Sequence, residues 1–130
     1  MNEQVRFYEA KLAFEIDPSD LFAALNASEK IVVIDARQAH GYAREHIPGA
    51  INLPHREMND ATTKDFAKEV LYVTYCDGIG CNASTKGALN LAKLGFNVKE
   101  LIGGIEWWKI DGYATEGTAA AQGLAIECAC

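Results

Sequence analysis

The short stretch Ile31-Val32-Val33-Ile34 is β-rich and apolar throughout, and Leu71-Tyr72-Val73-Thr74-Tyr75 is a second β-rich run. A strand with one wet face alternates apolar with polar residues. A strand that is apolar on both sides must be covered on both faces, as in a parallel sheet. Segments with helical spacing lie between and around these runs, so strands alternate with helices. That order predicts an α/β fold, a small parallel β-sheet flanked by helices on both faces. At 130 residues one such core can bury enough surface without a disulfide or metal staple. The chain is read as a single domain over 1–130, with its core at about 13–113 and a C-terminal tail at 114–130.

The remaining elements follow from local signals. Residues 1–12 are charged and weakly patterned, a short helix or an arm, and 13–16 form a short strand. Asp17-Pro18 has helix-start chemistry, with Pro18 in the first turn. Leu21, Phe22 and Leu25 then recur at helical spacing. Residues 38–44 hold a helical turn, 46–49 a turn, and 50–52 a short strand closed by Pro54. The polar stretch 55–70 is expected to contain a helix near 62–68. A helix over about 83–94 stops at Gly95. A strand over 98–102 and a helix over 105–110 follow, separated by Gly103-Gly104.

Charge narrows the function. Twelve Lys and Arg against 18 Asp and Glu give a net charge of −6 and a pI near 5.0. Neither phosphate backbones nor anionic lipid surfaces attract such a chain, so no nucleic-acid or membrane partner is expected. No apolar run reaches the ~18 residues of a spanning helix. The opening MNEQVRFYEAKLAFEID has no apolar signal core, which predicts an unexported, cytoplasmic protein. In that reducing compartment the four cysteines, Cys76, Cys81, Cys128 and Cys130, are free thiols by default. Their spacing matches no pair of Cys-x-x-Cys knuckles, so no metal is expected.

Ligands in parallel sheets bind beyond the carboxyl ends of the strands. The run 71–75 leads directly into Cys76, and the loop Cys-Asp-Gly-Ile-Gly-Cys-Asn carries the chain to a helix. The thiolate is the reactive form of cysteine. Gly78 and Gly80 are read as letting the loop curl so that its N–H groups point inward as an anion nest. The helix after the loop adds its positive N-terminal end. Both effects favour Cys76 as a thiolate nucleophile and suit an anionic adduct. The bland alternative is a buried thiol that closes the strand.

The segments DARQAHGYAREHIPGAINLP, LYVTYC and LGFNVKELIGGIEWWKIDGY resemble single-domain rhodanese-like proteins. The resemblance covers roughly residues 13–113. It implies sulfur transfer through a persulfide on Cys76, with no organic cofactor or metal. The anion cradle maps to Asp77, Gly78, Ile79, Gly80, Cys81, Asn82 and Ala83. The common family loop is shorter and ends in arginine. Here Ala83 stands at the arginine's place, and Asp77 adds a negative charge beside Cys76. Thiosulfate, a dianion, is therefore expected to be a weak donor. A protein or low-molecular-weight persulfide is expected to serve better, with a thiol or cyanide-like acceptor. Lys86 is a candidate to replace part of the missing charge.

Neighbouring residues take supporting roles. Cys81 either resolves an oxidised Cys76 as a disulfide or packs inward, since a five-residue loop can close without bringing the sulfurs into bonding range. Asn82 and Ser84 are placed to cap the helix, and Thr85 either caps it or donates to an oxyanion. Asp35 and Arg37, at the end of strand 31–34, are expected to form an ion pair that positions loops. His46 reads as a turn residue, His40 and His55 as surface residues, and Cys128 and Cys130 as an incidental tail. Trp108 is expected inside and Trp107 more exposed. The leading reading is a sulfurtransferase. The alternatives are a non-catalytic binding or redox-sensing module and, more remotely, a phosphatase or arsenate reductase. Oligomeric state is left open.

Overall fold

The structure is a computed structural model that describes residues 2–27 and 29–120. Its elements in chain order are α1 (Glu3–Phe14), β1 (Glu15–Ile16), α2 (Pro18–Asn26), β2 (Ile31–Asp35), α3 (Ala39–Arg44) and β3 (Ile51–Asn52). A 3-10 turn (His55–Glu57), β4 (Leu71–Tyr75), α4 (Ala83–Lys93), β5 (Asn97–Leu101) and α5 (Gly104–Ile110) follow. The five strands form one parallel sheet in the order β1-β5-β4-β2-β3. β4 is the central strand, so the chain leaving it at Tyr75 emerges in the middle of the sheet.

The unbroken apolar runs feed two cores at once. Side chains alternate across a strand with a period of two. Val33, Val73 and Tyr75 therefore join Leu21 of α2 and Ile105 and Trp108 of α5 on one face. Ile34 and Tyr72 join Leu91 of α4, Met58 and Phe96 on the other. Both faces of β2 and β4 are covered by helices, as the absence of alternation predicts.

Two local expectations fail. Ala13 and Phe14 extend α1 instead of opening a strand, and β1 begins only at Glu15. The side chain of Asn2 accepts from Val5 N–H at 2.9 Å and caps α1 from its first turn. No helix forms over 62–68 either. Asn59 and Thr62 exchange side-chain bonds with each other's backbone N–H at 2.9 and 3.0 Å, and Thr63 Oγ1 donates to the Asn59 carbonyl at 2.8 Å. These short polar side chains offer the backbone a turn in place of a helical ladder.

The last turn of the fold is tied by charge. Glu45 accepts from Lys109 Nζ at 2.8 Å and from Thr115 Oγ1 at 2.7 Å. Burial alone would raise the Glu45 carboxyl, but the Lys109 and Thr115 hydrogen bonds outweigh it and hold the group below its ordinary value. A depressed carboxyl stabilises the fold above its unfolded pKa and loses that contribution as pH falls through the folded one. Glu45→Gln is expected to be less stable than wild type at pH 7, with the gap closing below about pH 4. Urea denaturation at the two pH values measures this, and a gap independent of pH would refute it.

Candidate functional site

Cys76 follows β4 directly and is 2 % exposed. Beside it, β2 ends at Asp35, which is in register with Tyr75. Asp35 is fully buried. It accepts from Tyr75 Oη at 2.8 Å, from Arg37 Nε at 3.0 Å, from Arg37 Nη2 at 2.8 Å and from the Arg37 backbone N–H at 2.9 Å. Tyr75 Oη in turn accepts from Ile47 N–H at 3.1 Å. Burial, then the charge of Asp35, pushes the Tyr75 phenol far up, so it remains a donor. Burial alone would lower the Arg37 guanidinium, but the hydrogen bond and charge of Asp35, helped by Asp77, raise it.

Arg37 is the link between this buried network and the loop. Its Nη1 donates to Asp77 Oδ1 at 2.9 Å, and its Nη2 donates to the carbonyls of Gly41 and Glu45. The expected ion pair of Asp35 and Arg37 is thus present and does position a loop. It also corrects the picture of Asp77 as an uncompensated negative charge. Asp77 is paired with Arg37, and its side chain is 71 % exposed.

The loop curls by a different device from the one expected. Neither Gly78 nor Gly80 takes a positive φ, and a Cβ on Gly80 would meet open space. The glycine that the loop needs is Gly104, at φ +61°. A Cβ there would overlap the Cys76 carbonyl oxygen and reach within 2.9 Å of Asp77 C and Gly78 N. This close approach lets Ile105 N–H donate to the Cys76 carbonyl at 3.0 Å and Glu106 N–H to the Asp77 carbonyl at 2.9 Å. In a trans peptide the N–H lies opposite the C=O, so the amides of Asp77 and Gly78 point away from α5.

The expectation of free thiols at Cys76 and Cys81 does not hold here, because the two are joined as a disulfide. Cys81 N–H donates to the Gly78 carbonyl at 3.2 Å, turning the loop back so that the two Cα atoms stand 6.2 Å apart. That separation lies within the disulfide range. Each of Cys76, Asp77 and Cys81 brings a ligand atom within 4.8 Å of the others. With the sulfurs joined, neither cysteine offers a thiolate to a metal. Cys128 and Cys130 lie outside the described residues.

The other loop assignments divide. Asn82 precedes α4 but makes no side-chain cap bond. Ser84 Oγ and Thr85 Oγ1 neither cap the helix nor donate to an oxyanion site, since both donate to Glu100 Oε2 on β5. Ile79 is exposed at the loop tip, and Ala83 opens α4. Lys86 is exposed and does not line the cavity over Cys76. His46 is a turn residue: Nδ1 lies 2.7 Å from the Tyr42 carbonyl, and its ring stacks on Tyr42. Trp108 is buried and Trp107 is 40 % exposed.

A cavity of about 520 Å³ opens over the loop, lined by Cys76, Cys81 and Ala83 together with Arg37, His55 and Arg56. His55 is therefore not a plain surface residue. His55 and Arg56 follow β3 and enter the site from the carboxyl end of an edge strand, the signal by which the sequence could have placed them. Burial, then the charges of Lys86 and Arg56, lowers the His55 imidazole. Arg56→Ala is expected to raise it, which an NMR titration of the ring protons would read. An unchanged midpoint would show that Arg56 does not act on His55. The two arginines of the cavity are matched by Glu57 and Asp77, so its mouth has no surplus of positive charge. Among the described residues no helix is long and apolar enough to cross a membrane.

Comparison with known proteins agrees with this architecture. The BH2092 protein from Bacillus halodurans is 43 % identical, with a TM-score of 0.87 over 98 % of this chain and 94 % of its own. The HTH-type transcriptional regulator Rv0324 of Mycobacterium tuberculosis is 29 % identical over 83 % of this chain and 47 % of its own length. The adenylyltransferase and sulfurtransferase UBA4 of Candida albicans is 28 % identical over 75 % of this chain and 24 % of its own. The chain thus spans half or less of these two curated relatives. The rhodanese-like domain model matches residues 18–111, covering β2 to β5, the loop after Cys76 and the α5 segment that holds it, and the chain belongs to the rhodanese-like domain family.

Proposed function

We propose that the reduced chain is a sulfurtransferase that carries sulfane sulfur as a persulfide on Cys76. The observation that carries this reading is the position of Cys76. It follows the central strand directly, precedes an 11-residue helix and lines the cavity. The helix N-terminus lowers the cost of a negative sulfur there. The Cys76 thiolate attacks the sulfane sulfur of a donor, the donor's own sulfur bond breaks, and the donor leaves with the electron pair. A nucleophilic acceptor, a thiol or a cyanide-like ion, then removes the outer sulfur in a second step. UBA4, whose name includes a sulfurtransferase, is a relative consistent with this chemistry.

The cavity has no surplus of positive charge, so a small persulfide or a persulfide-bearing protein is the expected donor and thiosulfate the poorer one. Efficient turnover of thiosulfate beside poor turnover of persulfides would reverse that order. The central test is peptide mass mapping of the reduced chain after exposure to a sulfane-sulfur donor. One added sulfur on Cys76 of Cys81→Ser, removed by cyanide and not acquired by Cys76→Ser, is the expected result. The disulfide favours one second reading, a redox-responsive binding module. A Cys76 that takes up no sulfur from any donor, in the wild type without sulfide release and equally in Cys81→Ser, would establish that module instead.

A further inference from the structure

We infer that Cys81 is an internal acceptor: it cleaves the Cys76 persulfide, releases the carried sulfur as sulfide, and leaves the Cys76–Cys81 disulfide. The inference rests on the persulfide reading above and adds to it a reductive exit for the sulfur. The two cysteines are five residues apart, and the turn closed by the Cys81 N–H places them in bonding geometry. An attacking group held in this way reacts as if at very high local concentration. Arg37 holds the Asp77 carboxylate, so the intervening acid is neutralised beside the reacting sulfurs.

The step balances. The Cys81 thiolate attacks Cys76 Sγ, and a bond forms between the two Sγ atoms. The bond from Cys76 Sγ to the outer sulfur breaks, and that sulfur leaves with the electron pair and the perthiol proton as hydrosulfide. Two cysteine sulfurs are oxidised, and the sulfane sulfur is reduced by two electrons. Reset requires a dithiol reductant. Its first thiolate attacks Cys81, the half-buried member of the pair, and Cys76, the buried one, leaves as the thiolate. The second thiol of the reductant then displaces Cys81 and closes the reductant's own disulfide. The net reaction converts a sulfane sulfur and a dithiol into sulfide and a disulfide.

The test is a single turnover of the reduced, desalted chain with one equivalent of glutathione persulfide, reading sulfide and the mass of the loop peptide against time. Wild type is expected to release about one sulfide per chain as the loop peptide becomes the disulfide. Sulfur taken up by Cys81→Ser is expected to stay on Cys76 at least about tenfold longer, the loss of a positioned intramolecular nucleophile. Cys81→Ala is expected to match the serine variant, which separates the thiol's chemistry from its packing. A wild-type persulfide as long-lived as that of Cys81→Ser would overturn the inference. Outer sulfur found on Cys81 with no disulfide would overturn it equally. No sulfur on Cys76 in either variant would remove the persulfide reading itself, and the inference with it.

Discussion

Asp35→Ala is expected to destabilise the chain by about 3–5 kcal/mol, because it strips one partner from a buried charge pair. Asp35 is completely inaccessible, while the Arg37 side chain is 11 % exposed. Without the carboxylate, Arg37 keeps its charge, with Asp77 and two backbone carbonyls as its remaining partners. Tyr75 Oη also loses its acceptor in the core. The residual pairing with Asp77 puts the expected value toward the lower end of the range. Asp35→Asn retains an acceptor for Tyr75 and is expected to fall between wild type and Asp35→Ala. Urea unfolding of the three chains measures this, and a loss under about 1 kcal/mol for Asp35→Ala would show that the network is dispensable. The same substitution should loosen the cysteine loop, since Arg37 is held by Asp35 on one side and holds Asp77 on the other.

Gly104→Ala is expected to cost about 2–4 kcal/mol, combining a left-handed backbone with an overfilled contact. The methyl group would sit against the Cys76 carbonyl, so either α5 or the loop must move. Moving either breaks the hydrogen bonds that Ile105 and Glu106 donate to the carbonyls of Cys76 and Asp77. The control is Gly80→Ala, inside the loop itself, where an added Cβ meets nothing. That change is expected to stay within about 0.5 kcal/mol. The pair separates two accounts of the site. If Gly80→Ala were the costlier change, the loop would be shaped by its own glycines. The opposite order assigns its shape to α5. Alkylation of Cys76 in the reduced variants is expected to slow for Gly104→Ala and to hold for Gly80→Ala.

The sequence by itself determined the parallel sheet, because residues 31–34 lack alternation and must be covered twice, and because strands alternate with helices along the chain. It also marked the candidate site, since Cys76 follows directly on the strand at 71–75. Period, caps and stops are local, and a short window of residues contains them. The failures near 13–14 and 62–68 were local as well. There the capping of α1 and the side-chain bonds of Asn59 and Thr62 set the backbone instead.

What only the tertiary structure decided is how the site is held and charged. The partner of Asp77 is Arg37, 40 residues away. The acceptor of Ser84 and Thr85 is Glu100 on the neighbouring strand. The glycine that shapes the loop is Gly104, on the far side of α4 and β5 in the chain. The bond between Cys76 and Cys81 depends on the path of a loop that α5 grips by its carbonyls. Apart from the bond between the two cysteines themselves, each of these is a contact between segments that a parallel sheet brings together by crossover. A crossover connection places its strands side by side without leaving a local mark on the residues that will meet.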